Sequence, residues 1–546
     1  MAIIPFFKKG FFTFHDNIQV QRVFEMTKAL TGGMFPVRWS MDLGFGFGYP
    51  VFNFYAPLAY YVGGFINLAG FDSLTATKIM IAFGIILSSL TMFVFAKEIF
   101  GKRAGFLASV LYVFAPYHAL DIYVRGDVGE IWAYAFIPLV FYAIYKQYKS
   151  LNTLNILIGG LAFAALILSH NLTALMFTPF ILIFIILLSF LKKEKRQSMF
   201  LFAPLVLGLL LSAFYWIPAI LEMNFTNVTS QIGGGADYKD HFVCLYQLWT
   251  SPWGFGGSVP GCVDGLSFMI GKLHLIFALL ALVIYIFSLK VKKVSKGYVV
   301  LTSFFVISFF VSVFLMIDYS KFVWDVVKPM AFFQYPWRFL IPATFFITMI
   351  ATGGIYYLEA LLKKTSTKWF IILVLIISVT TFLFNVKFFV PQKFIYVKAS
   401  DYTSRSALVW TASRISSEYM PKGFQKPGKL SKIPQFSSLN SKDISVYIVK
   451  QKTHNIELKV DVLKSGKFVF PIAYFPSWKA YLDSKEVKLI PTSTGVLIYL
   501  PLGQHILSFV FVQTPVEFAS DMLTLAGILI IIIGIINKRF RYDKIT

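Results

Sequence analysis

Apolar stretches alternate with short polar turns along most of the chain, each close to the ~20 residues that a helix needs to cross a bilayer core. The pattern places spans near 74–96, 104–119, 128–146, 153–169, 172–191, 198–217, 272–289, 297–317, 337–358, 368–386 and 518–536, eleven in all. Segment 51–70 is apolar too, but Asn53, Pro57 and a Gly pair interrupt it. It reads as a helix lying in the outer interface, with its tyrosines at headgroup level. Between 387 and 517 the period changes to two, as in Ser445–Val449 and His454–Val460. Further strand-like runs follow at 467–474, 486–490, 495–500 and 505–512, and 401–440 reads as an irregular lead-in. The expected fold class is mainly α. A polytopic transmembrane helical bundle fills 1–386, and an extracytoplasmic antiparallel β-domain of sandwich type fills 387–517. A final transmembrane helix and a basic cytoplasmic tail fill 518–546.

Composition agrees: the chain is 57% hydrophobic and only 14% charged, with 61 Phe, where soluble domains are about a quarter charged. The net charge of +24 does not point to nucleic acid, because Lys and Arg gather in short clusters between spans. These are Lys97/Lys102/Arg103, Lys146/Lys149, Lys192/Lys193/Lys195/Arg196, Lys290/Lys292/Lys293/Lys296, Lys363/Lys364/Lys368 and Lys538/Arg539/Arg541/Lys544. With eleven spans all six fall on one side, which is then cytoplasmic, and their partners are anionic membrane lipids. The outer side receives the first loop 1–73, 120–127, the turn 169–171, the loop 218–271, 318–336 and 387–517. An odd count with the C-terminus inside puts the N-terminus outside. The opening MAIIPFFKKGFFTF is too short to span and is no signal peptide, so a first transmembrane helix is expected to be missing ahead of it. The implied location is the plasma membrane, multi-pass, with its chemistry on the outer face. Cys244 and Cys262 share the outer loop 218–271, either as free thiols or as a disulfide in an oxidising compartment.

The polar residues that could do chemistry lie at the outer ends of spans. Asp16, in His15-Asp16-Asn17, would stand just outside the bilayer. An acid there can accept a proton from a hydroxyl or hold a divalent metal bridging a phosphate, and it can equally cap a helix starting at Asn17. The run Gly44–Gly48 lacks the Lys-Ser/Thr of a phosphate loop and reads as tight turns that pack aromatics. The second outer loop crowds His118, Asp121, Arg125, Asp127 and Glu130 between two spans. Glu130 falls on the first turn of a helix, where the dipole favours its ionised form. Capping and a structural Arg125–acid pair would explain the same residues, but charges at the membrane edge are costly unless used. His170 and Asn171 sit in a tight turn, as ligands of a substrate or as a cap. Arg338, in Gln334–Arg338, could grip a phosphate bidentately or snorkel from an aromatic belt. Lys78, one turn inside its span, could meet phosphate or snorkel too.

The runs HDN, GGMFPVRWSMDLGFGFGYPVFNFYAPL, APYHALDIYVRGDVGE, SHNLTAL and FQYPWRF resemble bacterial membrane proteins described as 6-pyruvoyl-tetrahydropterin synthase-related, a family similar to GT-C glycosyltransferases. Nothing in the chain resembles the soluble pterin enzyme itself. The closing YFPSWKAYLDSKEVKLI and GVLIYLPLGQHILSFVF are similar to the β-domain of YfhO-like membrane glycosyltransferases. The resemblance implies an essential acid in the first outer loop, Asp16, with Glu130 and Asp127 as further catalytic acids. GT-C members often pair two acids in the first loop; here Asp16 stands alone, which leaves metal dependence open.

These expectations converge on a glycosyltransferase. The donor would be a polyprenyl-phosphate-linked sugar and the acceptor an extracytoplasmic glycan or lipid. Asp16, Asp127 and Glu130 would be catalytic, and His15, His118, Arg125, His170, Asn171, Arg338 and Lys78 would bind substrate. A divalent metal is one possible cofactor, with its ligands open. The competing classes are a lipid or polysaccharide transporter and a catalytically inactive scaffold. A transporter favours ionisable residues at mid-membrane, whereas these lie at span ends.

Overall fold

The structure, a computed structural model, describes residues 1–192, 194–233, 236–362 and 366–542, with only the backbone at 195, 196 and 537–542. Lys193, Lys363, Lys364 and Lys544 of the expected basic clusters lie outside the described residues.

Among the described residues, eight helices are long and apolar enough to cross a membrane: Ser73–Phe100, Val128–Lys149, Asn171–Leu191, Lys272–Lys290, Lys296–Met316, Pro336–Leu361, Thr367–Phe388 and Pro515–Ile536. Two more spans are broken. Lys102–Val113 and Pro116–Arg125 meet at 42°, and Met199–Leu211 and Ala213–Leu221 at 69°. Thr153–Ser169, expected as a span, is a shorter apolar helix, so the described residues give eight to ten candidate spans where the sequence pattern gave eleven. The first break falls where Pro116 lacks an amide proton to continue the helix. Leu58–Leu68 is a helix of 11 residues, too short to span.

Helix ends carrying basic residues meet at one end of the bundle. Arg103 pairs with Glu359 at 2.5 Å, and Lys149 and Lys146 pair with Glu98 at 3.0 and 3.7 Å. Val128–Lys149 and Pro336–Leu361 are the most enclosed of the long helices. They interlock through aromatics such as Phe141 and Phe345, 5.0 Å apart. In this setting helices associate by close packing rather than by expulsion of water.

The first outer loop holds an unexpected element, a helix at Gln19–Thr31. It is polar by composition yet buried, with Gln19, Gln21, Arg22 and Glu25 all inside. Such groups are tolerated only where they find partners. Glu25 Oε2 accepts from Ser40 Oγ at 2.7 Å and from the amide of Met41 at 2.9 Å. Positive-φ turns in the Gly44–Gly48 run bury Phe45 and Phe47 against Trp410 and Phe424, the packing role expected of it.

The β-domain has two antiparallel sheets. One runs Ile444–Lys452, Asn455–Val462, Gly503–Phe511, Trp478–Leu482, Lys485–Val487 in spatial order. The other runs Gly466–Phe470, Gly495–Leu500, Ile490–Thr492. They face each other through residues such as Phe470 and Phe509, with ring centroids 5.3 Å apart. Three details differ from the sequence expectation. The run 467–474 stops at Phe470, before Pro471, Trp478–Leu482 is an extra strand, and the run 486–490 divides into Lys485–Val487 and Ile490–Thr492, one in each sheet. The domain is fastened to the bundle. Glu517, at the start of the last helix, accepts from the Thr514 amide at 2.9 Å and from Ser477 Oγ at 3.1 Å. Arg38 of the first loop reaches Asp521 at 2.7 Å. The 2-residue strand Phe11–Phe12 pairs antiparallel with Phe394–Ile395.

Candidate active site

The chain around Asp16 and the loop 120–127 are stitched together by backbone. The amides of His15 and Asp16 donate to the carbonyls of Val124 and Arg125, both at 2.9 Å. Gln19 adds a bond from Nε2 to the Gly126 carbonyl at 2.8 Å. Asp16 therefore lies beside Asp127 although 111 positions separate them in sequence. The helix that follows begins at Gln19, with Ile18 at its cap and no side-chain cap bond. Asp16 is thus not the helix cap that one reading of the sequence offered.

A cavity of about 850 Å³ opens at this seam. Its polar end is lined by Asp16, Arg22, Asp127, His170, Asn171 and Arg338. Its other walls are apolar, including Phe163, Ile167, Leu172, Leu175, Trp216 and Ile220 from the spans around it. Leu175 and Ile220 are also exposed at the bundle surface. Residues Ile415–Tyr419, from the lead-in to the β-domain, complete the wall.

Behind the polar end is a closed charge network. Arg125 pairs with Asp121 and Glu130 through Nη1 and with Asp127 through Nη2 at 2.8 Å. Its guanidinium stacks 4.9 Å from the Trp337 ring. Arg338 adds Nε to Glu130 at 3.3 Å. Asp127 Oδ1 caps the next helix by accepting the Glu130 amide at 3.1 Å. Glu130 is fully buried, with Tyr117 donating to it at 3.1 Å. A buried carboxylate is sustained only by such pairing.

The ten candidates therefore separate. Asp16, Asp127, His170, Asn171 and Arg338 share the cavity wall. Glu130 and Arg125 stand directly behind it. His118 is buried elsewhere, bonded to the Val113 carbonyl at 3.0 Å and stacked on Tyr134. His15 is exposed and bonds the Phe255 carbonyl at 3.0 Å. The Lys78 ammonium donates to the Lys8 carbonyl at 2.8 Å, away from the cavity. Arg22, Tyr55 and Ser416 on the same wall escaped the sequence reading. The available signal was the density of polar residues, Gln19, Gln21, Arg22 and Glu25, interleaved with Val20, Val23 and Met26 at helical spacing.

Burial pushes the Asp16 carboxyl up to about 6, helped by the negative charge of Asp127 and opposed by Arg125, Arg22 and Arg338. Its side chain is half-buried, open to the cavity. That combination suits a group that takes up and releases a proton near neutral pH.

Asp127, Glu130 and His170 each offer one ligand atom, all within 4.8 Å of one another. The donor set could suit a divalent ion. The arginines argue against it. Glu130 Oε1 already faces Arg125 Nη2 at 3.0 Å and Arg338 Nε at 3.3 Å. Asp127 Oδ2 is held by Arg125 at 2.8 Å. A cation here would have to displace a guanidinium, so the residues do not fit a resident metal.

The pair Cys244 and Cys262 is a disulfide, with Cα atoms 5.6 Å apart, within the reach such a bond requires.

Comparison with known proteins yields three likenesses. An uncharacterized protein of Lactococcus lactis subsp. cremoris (strain MG1363) is 25% identical over 324 residues, 56% of this chain. The match spans only half, 50%, of that relative's length. The oligosaccharyltransferase of Archaeoglobus fulgidus, in its apo form, aligns with a TM-score of 0.44 and 12% identity over 78% of this chain and 59% of its own. Residues 52–232, which hold the Arg125 network, His170 and Asn171 but neither Asp16 nor Arg338, match the membrane-protein family described as the 6-pyruvoyl-tetrahydropterin synthase related domain.

Proposed function

We propose that this membrane protein is a GT-C-type glycosyltransferase that moves a sugar from a polyprenyl-phosphate carrier to an extracytoplasmic glycan or lipid acceptor. The observation that carries the reading is the cavity, which joins an apolar wall reaching the bundle surface to a polar end holding an unpaired carboxylate. An isoprenoid tail suits the first part and a sugar phosphate the second. Asp16 accepts the proton of the acceptor hydroxyl as its oxygen attacks the anomeric carbon. The bond from that carbon to the phosphate oxygen breaks on the opposite face, with inversion, and the carrier phosphate leaves with the electron pair. Asp127 and His170 line the acceptor side, and the β-domain lead-in closes the site where an acceptor glycan would enter.

The transporter reading draws on one observation, the span broken at Phe114–Ala115 beside buried charges. Those charges are paired with one another through Arg125 rather than facing a path. The test is purified protein in lipid with a panel of radiolabelled polyprenyl-phosphate hexoses and pentoses and an envelope lipid extract as acceptor. Label should move to an acceptor with at least one donor. Flux of carrier across vesicles without any sugar transfer would favour the transporter.

A further inference from the structure

Arg22 lines the same cavity and is 3% exposed. Its Nη1 donates to the Tyr60 hydroxyl at 3.2 Å and its Nη2 to Ser416 Oγ at 3.1 Å. Its face lies 4.0 Å from the Tyr55 ring, and its Nε has no acceptor. Every protein partner it has is neutral. Among the described residues no carboxylate forms an ion pair with it, whereas Arg125 pairs with three acids and Arg338 pairs with Glu130. Asp16 acts on Arg22 electrostatically and Ser416 in turn donates to Glu418 at 2.8 Å, but neither carboxylate contacts the guanidinium. A buried cation without a contacting counter-ion is costly, and an arriving anion removes that cost.

We propose that Arg22 is the seat for the anionic group of the cavity's ligand, a phosphate oxygen that reaches the open edge of the guanidinium. Tyr55 holds the guanidinium plane and Ser416 fixes one arm, so the fork is set before the ligand arrives. The consequence is positional. The phosphate lies between the Gln19–Thr31 helix and the 415–419 segment, not against Arg125 or Lys78, which are already occupied. Asp16 and Arg22 then belong to one short stretch of chain, and base and anion seat keep a fixed relation. That the phosphate is attached to a lipid rests on the function proposed above. A free phosphate would use the same chemistry.

The test reads binding alone, through fluorescence of the full-length protein in nanodiscs, since Trp216 lines the cavity. The probes are farnesyl phosphate, farnesol and inorganic phosphate. Wild type should bind farnesyl phosphate at least tenfold tighter than farnesol. Arg22→Gln should abolish that preference while leaving farnesol affinity unchanged. Arg22→Lys, which keeps the charge and loses the fork, should fall between and covers the case in which Gln prevents folding. Lys78→Gln should bind as wild type. Inorganic phosphate as tight as farnesyl phosphate would assign the seat to a free anion. No preference for phosphate over alcohol in wild type, or an unchanged preference in Arg22→Gln, overturns the assignment. Because no sugar is involved, binding through Arg22 without any transfer removes only the enzyme reading. Transfer with Arg22→Gln binding normally removes only the anion seat.

Discussion

The amide of Asp16 donates to the carbonyl oxygen of Arg125 at 2.9 Å. That bond, the matching one from His15 to Val124 and the Gln19 side chain on Gly126 hold the two loops together, and the Asp16 side chain is left free to face the cavity. Its carboxylate neither caps a helix nor pairs with a described cation, so removing its charge should cost the fold little. Asp16→Asn should retain wild-type expression, keep a melting temperature no lower than wild type, and lower transfer by about a hundredfold to ten-thousandfold, the usual range for loss of a general base. A rate within a few-fold of wild type would move the base elsewhere on the wall.

The same carboxyl predicts two pH dependences. Its value of about 6 means that the base form builds up as pH rises through 6, so the transfer rate should climb there. The residual rate of Asp16→Asn should lack that limb. For stability the sign is opposite. The folded value lies above the ordinary one of about 4, so the fold favours the protonated form. That contribution is complete below about pH 4 and lost as pH rises through 6. Wild type should therefore lose melting temperature relative to Asp16→Asn between those values. A difference that stays constant with pH would show that Asp16 is not held in a desolvating site.

Much of this arrangement was legible in the sequence. Span positions followed from length and apolarity, and the strands of the β-domain from alternation. Asp127 stood out because charge at a membrane edge is costly, Asp16 as a lone acid in the first loop where the family resemblance implies one, and His170 and Arg338 as polar residues at span ends. The helix Gln19–Thr31 was hidden because it buries polar residues, Gln19, Gln21, Arg22 and Glu25, beside the apolar Val20, Val23, Met26 and Ala29, so it lacks the apolarity of a span, and Arg22 was hidden with it. The Arg125–acid pairing was one reading the sequence offered, because Asp121, Asp127 and Glu130 flank that residue. That Arg338 joins the same network and that no acid contacts Arg22 follow only from three-dimensional packing.

Gly126, which forms the junction between the two loops, has φ +66°, and a Cβ there would meet the Phe14 ring at 2.2 Å. Gly126→Ala therefore combines left-handed strain with a clash against a packed aromatic. A loss of roughly 1–3 kcal/mol is expected. Asp16 is carried by the same seam, so transfer should fall as well. Gly101→Ala meets open space, so its cost is backbone strain alone, at φ 90° and ψ 170° where glycine is strongly favoured, and it should leave the rate unchanged. A rate loss in Gly101→Ala equal to that of Gly126→Ala would show that the seam is not what carries Asp16.

Because Asp127 and Glu130 are already engaged by Arg125 and Arg338, transfer should persist in excess EDTA after dialysis against chelator. The measurement is the initial rate with and without added magnesium or manganese. Loss of activity on chelation, restored by one of these ions, would mean that an arginine swings away and that Asp127, Glu130 and His170 take the metal.

Orientation can be tested without settling the broken spans. Ser295 precedes the helix Lys296–Met316 and makes no cap bond, and Ser465 is in an exposed turn of the β-domain. Three long apolar helices separate them, Lys296–Met316, Pro336–Leu361 and Thr367–Phe388. An odd number of crossings puts the two positions on opposite sides whatever the earlier part of the chain does. The basic clusters predict that the Ser295 side is cytoplasmic. A membrane-impermeant maleimide applied to intact cells should therefore modify Ser465→Cys and spare Ser295→Cys until the membrane is opened. The native Cys244–Cys262 pair is bonded and should not react, which keeps the background low. Equal labelling of both positions would mean that one of the three helices does not cross. Labelling of Ser295→Cys alone would turn the cavity toward the cytoplasm, where nucleotide sugars are available. In that case the argument for a lipid-carried donor would lose its basis, while the geometry of Asp16 and Arg22 would stand.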